Sequence, residues 1–403
     1  MRAIFKPVAM ATVMVAGLLA AGAASAQIAV SGGATLPQPL YNDILPYAFG
    51  VGGVSYTGTG SGTGKTAFFN NNATLFRDET QASRPAWPAT QSVHFVGSDS
   101  ALTATELSSY NSAHLSGWGR LIQIPAVATS VLLPFTRSGA TALNLPTAKV
   151  CAIFGNKAGG QTWGDILGNS DTTPIAVVYR TDTSGTTELL SRFLAGACGS
   201  GSGFVVSNSF ATAVGGAVGT IPANWVGVSG SPAVNSALAT DARLGYLSPD
   251  SQYTGIDATK VAKINGNLPD PDAIRTVLSA QSLPVGGAPA NPLAWVPTYS
   301  VPTSGYPIFG TTNLLINQCY KDAGVQAKIV TLLNNLYNTL STDPDSQTTA
   351  KIKSHNFVTL PDDRAGNTNN WKLAIKNTFL NSSNSLGIGN TNVCNGIGRP
   401  LQN

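Results

Sequence analysis

The sequence predicts a two-lobed α/β protein with a ligand cleft between its lobes, and three observations predict it. Short, strand-like apolar runs alternate with helical patterns, and the chain has two places where it could cross from one body to another. The third observation is a set of four Ser/Thr/Gly stretches, each placed where a strand would hand over to a helix. They are Gly33-Ala34-Thr35-Leu36-Pro37-Gln38, Gly58-Thr59-Gly60-Ser61-Gly62-Thr63-Gly64-Lys65, Gly97-Ser98-Asp99-Ser100 and Arg180-Thr181-Asp182-Thr183-Ser184-Gly185-Thr186-Thr187. Helix N-termini carry free N–H groups and partial positive charge, and small hydroxyl residues leave them open to an anion while adding donors. Together the four describe an oxyanion site, to which Arg180 adds a planar fork that Asp182 can orient.

Taken in order, residues 1–26 read as an export signal. Arg2 and Lys6 form the charged start, residues 8–24 are apolar or small, and Ala24-Ser25-Ala26 is a small-residue cleavage site. The mature chain would begin at Gln27. No later stretch approaches the roughly 20 consecutive apolar residues of a membrane span, so a soluble, exported, monomeric protein is expected. Without the leader the formal charge falls from +4 to +2, with 21 Lys+Arg against 19 Asp+Glu. That balance argues against nucleic acid and against an anionic membrane as partners.

The strand-like runs are 93–96, 121–124, 131–135, 175–179 and 244–247, short and branched as strands of a parallel sheet should be. Leu189, Leu190, Phe193 and Leu194 repeat at helical spacing after Ser184, which is placed to be the N-cap. Thr103-Ala104-Thr105-Glu106 is a capping box, and 322–342 is the clearest amphipathic helix, with Val325, Ile329, Leu332, Leu333 and Leu336 on one face. The Pro/Gly-rich stretches 199–231 and 283–307 read as loops with little buried core. Crossings at Ile124-Pro125-Ala126 and at Ser304-Gly305-Tyr306-Pro307 would give one lobe of 27–125 with 306–403 and a second of 126–305. Ligands of such folds sit beyond the carboxyl ends of the strands.

Cys151, Cys198, Cys319 and Cys394 form an even set in an oxidising compartment, without a CxxC. Four cysteines allow three pairings, and the sequential one, Cys151 with Cys198 and Cys319 with Cys394, closes each loop within one lobe. Other chemistries fit less well. In a Walker loop the glycine five places before Gly64-Lys65 would be Thr59, and a dinucleotide fingerprint from Gly58 and Gly60 would need glycine at Thr63. No serine of the four stretches lies in G-x-S-x-G. The three histidines supply no cluster for a metal, and none is expected; His94 reads as a packed core residue, His114 and His355 as solvated. No cofactor is implied.

Asp99 discriminates among anions. Beside donors, a carboxylate fits only a ligand that brings its own proton, as phosphate does near neutral pH and sulfate does not. Polar mismatches of this kind permit discrimination of order 10⁴ to 10⁵. An Asp with ordinary titration would lose this selectivity only at strongly acidic pH.

These residues resemble the periplasmic phosphate-binding proteins that serve ABC transporters, and more closely their DING branch. The resemblance spans the mature chain, through residues 32–41, 93–100, 177–180, 184–189 and 304–308 and the tail Ile388-Gly389-Asn390-Thr391-Asn392-Val393-Cys394-Asn395-Gly396-Ile397-Gly398-Arg399-Pro400. The Asp-Ile-Asn-Gly start of that branch reads Ile28-Ala29-Val30-Ser31 here, a departure that touches no ligand position. The resemblance implies a type II periplasmic-binding-protein fold. It implies inorganic phosphate held by Thr35, Leu36, Ser61, Asp99, Arg180, Ser184, Gly185 and Thr186, with Asp182 orienting Arg180. It also implies the sequential disulfides, an ABC transporter permease as partner, and a periplasmic or secreted location. Some relatives are described as secreted phosphatases, so an alkaline phosphatase using the same cleft is the alternative reading.

Overall fold

The computed structural model describes residues 28–297, 301–302, 304–338, 347–363 and 367–401; the leader expected over 1–26 lies outside them. Two mixed sheets carry a two-lobed α/β fold. The first joins β1 (Ala29–Gly33), β2 (Val54–Gly58), β3 (Phe95–Ser98), β4 (Leu121–Ser130) and β11 (Phe309–Asn317) in the order β2-β1-β3-β11-β4. The second joins β5 (Phe135–Thr136), β7 (Ala176–Arg180), β8 (Val226–Val228) and β9 (Arg243–Gly245) in the order β5-β9-β7-β8, while β6 (Asn144–Leu145) and β10 (Lys263–Ile264) pair separately. Around the first sheet lie α1 (Gln38–Phe49), α2 (Ser61–Phe69), α3 (Ala104–Trp118), α9 (Pro271–Ser279), α10 (Ala323–Leu336), α11 (Gln347–Ser354) and α12 (Trp371–Ile375). Around the second lie α4 (Thr147–Phe154), α5 (Trp163–Leu167), α6 (Gly185–Ala197), α7 (Phe210–Val218) and α8 (Ser231–Ala237). Among the described residues no helix is long and apolar enough to cross a membrane.

Sequence pattern and structure agree where a local rule applies. Ser184 caps α6 by accepting from the Thr187 N–H at 3.2 Å. In the capping box of α3, Thr103 Oγ1 accepts from Glu106 N at 3.1 Å and the Glu106 carboxylate from Thr103 N at 2.8 Å. α10 buries the five apolar residues expected of it and ends at Leu336; positions 339–346, where the expected helix would finish, lie outside the described residues.

Other expectations are corrected. β1, β2 and β3 are parallel, but β11 runs antiparallel to both β3 and β4. A strand buried on both faces is an unbroken apolar run in either direction, so such runs carry no polarity. β4 continues through Pro125 to Ser130, with every residue buried. Of the run 131–135 only Phe135 lies in a strand; Leu132 and Pro134 make single bridges to Leu247 and Val261 as the chain reaches the second lobe. The 199–231 stretch contains α7 and β8, and α7 buries Phe210, Ala213, Val214 and Ala217. Its helical spacing was masked by alanine and glycine, which give little contrast between buried and exposed faces. In 283–307, Trp295 is buried against Trp371 and Phe379, and the Gln123 amide donates to the Pro292 carbonyl at 3.1 Å, so this segment lies back against the first sheet.

Both disulfides take the sequential pairing, with sequence separations of 47 and 75 residues and Cα atoms 5.6 and 5.3 Å apart. Closing loops of that length restricts the unfolded chain enough to stabilise by roughly 4 kcal/mol each in the chain-entropy account. A Cys319→Ser/Cys394→Ser double variant is therefore expected to lower the free energy of unfolding by about that amount in urea titrations. A loss below about 1 kcal/mol would contradict the entropic account.

Candidate functional site

All four stretches leave the ends of strands: β1 leads towards α1, β2 into α2, β3 into the Asp99 loop ahead of α3, and β7 towards α6. The first three belong to the first sheet and the fourth to the second, so the stretches meet across the two lobes. Thr35, Leu36, Ser61, Asp99, Arg180, Ser184, Gly185 and Thr186 are all buried. Ser61 Oγ accepts from the backbone N–H of Asp99 at 3.1 Å and from that of Gly185 at 3.2 Å, and Gly62 N donates to the Thr183 carbonyl at 3.1 Å. Thr35 Oγ1 accepts from Ser231 N at 3.1 Å, and Arg180 Nη1 donates to Ser231 Oγ at 3.4 Å.

Two glycines permit this approach. Gly60 has φ +90, and a Cβ there would lie 2.5 Å from Asp182 Oδ2; a Cβ on Gly185 would lie 2.5 Å from that of Asp99. Any side chain at either position would hold the lobes apart.

The hydrogen bonds leave several donors able to serve a ligand. Ser61 and Ser184 use oxygen lone pairs to accept backbone N–H groups, so each hydroxyl proton is left to donate. Thr186 Oγ1 has no partner among the described residues. The side chain of Leu36 is in the core and its carbonyl accepts from Ser248 Oγ at 2.8 Å, so only its N–H could serve a ligand. Arg180 binds Asp182 through both Nε (2.6 Å to Oδ1) and Nη2, which fixes the guanidinium plane and turns Nη1 away from Asp182. Asp182 Oδ1 also accepts from Gly230 N at 3.0 Å. Its carboxyl is held below the ordinary value by Arg180 and Gly230, which outweigh its partial burial.

Asp99 opposes these donors. Its Oδ1 is buried without a partner among the described residues. Burial pushes its pKa up to about 7, with Glu188 adding to the rise and the nearby Thr312 hydroxyl and Arg180 opposing it. If Asp99 sets the selectivity, its threshold would lie near neutrality, not at the strongly acidic pH that an ordinary Asp implies. An acid whose folded-state pKa is raised favours the folded state most at low pH. The ligand-free protein loses that contribution as pH rises from 3.8 to about 7.

Several participants have weak or no sequence signals. Ser231 falls at the end of a stretch read as loop, although Gly230-Ser231-Pro232 has the look of a helix start. Glu188 lies four residues beyond Ser184, on the same face of α6, a spacing that could have marked it. Tyr246 OH accepts from Arg180 N at 3.0 Å and bonds the Thr187 hydroxyl at 2.7 Å, a pairing with no sequence signal. His355, expected to be solvated, is buried, with Nδ1 2.9 Å from Asp250 Oδ2 and Nε2 3.2 Å from Asp43 Oδ2. These carboxylates come from distant parts of the chain, so the polar residues next to His355 in sequence misled. His114 stacks on Trp118 at 3.7 Å and is half-buried. His94 is packed as expected: its Nδ1 accepts from Val30 N at 3.0 Å and burial lowers its pKa to about 4.

The family model for the PBP superfamily domain matches residues 20–331. The chain is 42% identical to alkaline phosphatase L of Pseudomonas aeruginosa over 97% of its own length and 98% of that protein's. Among solved structures, PfluDING, a high-affinity periplasmic phosphate-binding protein bound with phosphate, superposes with a TM-score of 0.80 at 40% identity, covering 93% of this chain and all of that one. The phosphate-binding protein of Stenotrophomonas maltophilia gives the same TM-score and coverage at 37% identity. With its two sheets meeting at strand-end turns, and with this similarity along nearly its whole length, the chain belongs to the PBP superfamily.

Proposed function

We propose that this protein binds inorganic phosphate between its lobes, for uptake or scavenging. The observation that carries the reading is the opposition of donors from both lobes to one buried carboxylate, Asp99, whose Oδ1 has no partner among the described residues. Thr35, Leu36 and Ser61 would bind from the first lobe with Asp99, and Arg180, Ser184, Gly185 and Thr186 from the second, with Asp182 orienting Arg180. An anion that still carries a proton satisfies both kinds of group at once; a fully ionised one leaves two acceptors facing each other. The lobes would comprise 27–125 with 306–403, and 126–305, except that β4 as far as Ser130, α9 and the segment around Trp295 lie with the first sheet. Cleavage after Ala26 would deliver the protein to the periplasm or beyond as a monomer, and an ABC transporter permease would receive its cargo. The resemblance to phosphate-bound PfluDING supports the ligand.

A second reading, a phosphomonoesterase, is favoured by one observation. A cavity of about 380 Å³ opens beside Asp99 between α6 and β11, lined by Leu189, Phe193 and Phe309, with room for the organic part of a phosphate ester. Pure protein incubated with a chromogenic phosphate ester separates the two. The binding reading predicts tight retention of phosphate without turnover. Hydrolysis that disappears in Arg180→Ala or Asp99→Asn would establish the esterase instead.

A further inference from the structure

The helix that carries the second lobe's anion donors also grips the loop that carries Asp99. Glu188, one turn into α6, is buried and reaches the first lobe: its Oε2 accepts from the Ser100 hydroxyl, and its Oε1 accepts from Ala101 N at 3.3 Å. Ser100 and Ala101 are the two residues that follow Asp99. Lys65 Nζ meets the same loop from α2, donating to Ser100 Oγ at 3.4 Å and to the Ala101 carbonyl at 3.3 Å while paired with Glu106 at 2.8 Å. Arg192 Nη2 donates to Glu188 Oε1 at 2.7 Å from the next turn of α6. A charged chain, Glu106–Lys65–Ser100–Glu188–Arg192, thus runs from lobe to lobe directly behind Asp99.

We propose that Glu188 is a specificity-determining positioning residue: by binding Ser100 and Ala101 across the cleft, it makes the donor end of α6 and the acceptor carboxylate of Asp99 close on an anion as one unit. The inference rests on the phosphate-binding reading and names a residue that would not itself touch the anion. An acceptor rejects sulfate only if it is held where the ligand's proton must be, because a carboxylate free to swing away would let the unprotonated anion in. Glu188 has a second effect. The charged and titratable groups facing Asp99 are Arg180 from β7, Glu188 from α6, Tyr41 from α1 and Tyr56 from β2, with Lys65 behind the loop. Of these, Glu188 contributes to raising the Asp99 pKa and Arg180 opposes the rise.

The test measures phosphate and sulfate affinities of the full chain by calorimetry from pH 5 to 9, in wild type, Glu188→Gln and Ser100→Ala. Glu188→Gln keeps the shape but removes the charge. The phosphate-to-sulfate ratio is expected to fall by about tenfold or more, as for loss of a hydrogen bond to a charged group. The pH below which selectivity fades should also move down, because a negative neighbour of Asp99 is gone. Ser100→Ala leaves the charge but removes a link, so its ratio should fall with less movement of the pH midpoint. It also keeps the inference testable should Glu188→Gln fail to fold. Unchanged ratios in both variants would overturn the inference while leaving phosphate binding intact. Failure of wild type to bind phosphate would overturn the functional reading instead.

Discussion

Arg180→Ala is expected to weaken phosphate binding by about thirtyfold to several thousandfold, the largest single effect on affinity at the site. Arg180 is the buried cation at the centre of the donor set, its guanidinium fixed by two bonds to Asp182. Truncation would remove the charge-assisted bonds proposed to the anion and leave Asp182 with only backbone support such as the Gly230 N–H. Losing one partner of a buried, hydrogen-bonded charge pair costs about 2–5 kcal/mol, and every 1.4 kcal/mol is about tenfold in affinity. Arg180→Lys should recover only part of the loss, since an ammonium cannot hold Asp182 and an oxyanion in one plane. Calorimetric titration of both variants checks this; an Arg180→Ala variant within tenfold of wild type would remove Arg180 from the site.

Asp99→Asn should produce the second large effect, on selectivity more than on affinity. An amide donates as well as accepts, so the variant should keep some phosphate affinity while its preference over sulfate drops by at least a hundredfold from the order of 10⁴ that such mismatches allow. Wild type should approach the same behaviour as pH falls through about 7, because protonated Asp99 can itself donate. The introduced amide does not titrate, so the variant's ratio should be flatter over that range. In the absence of phosphate the variant should also be the more stable protein above pH 7, where wild type holds an ionised, buried carboxylate. Thermal unfolding at pH 5 and pH 8 reads this directly. A variant that discriminates as sharply as wild type would mean that shape or donor number, not the ligand's proton, sets the choice.

How much of the molecule was legible follows from the range of the interactions. Ser184 as N-cap and Thr103 with Glu106 as a capping box are set within three or four residues, and they could be read from sequence. The four strand-to-helix stretches were legible for the same reason. Strand direction was not, because β11 meets β4 after nearly 180 intervening residues and an apolar run looks alike in either orientation. α7 was hidden by its small residues, and the Asp43–His355–Asp250 cluster by the distance along the chain between its members. Within the candidate site, the residues proposed to bind the anion lay in recognisable motifs. Those that hold them there, Ser231, Tyr246 and Lys65, depend on contacts between elements far apart in sequence.

Parallel titrations of inorganic phosphate and sulfate into pure, phosphate-depleted protein at pH 8 test the central claim most directly. The account predicts one tight phosphate site per chain and sulfate binding weaker by a factor of order 10⁴. No saturable phosphate binding, or sulfate bound as tightly as phosphate, would contradict it.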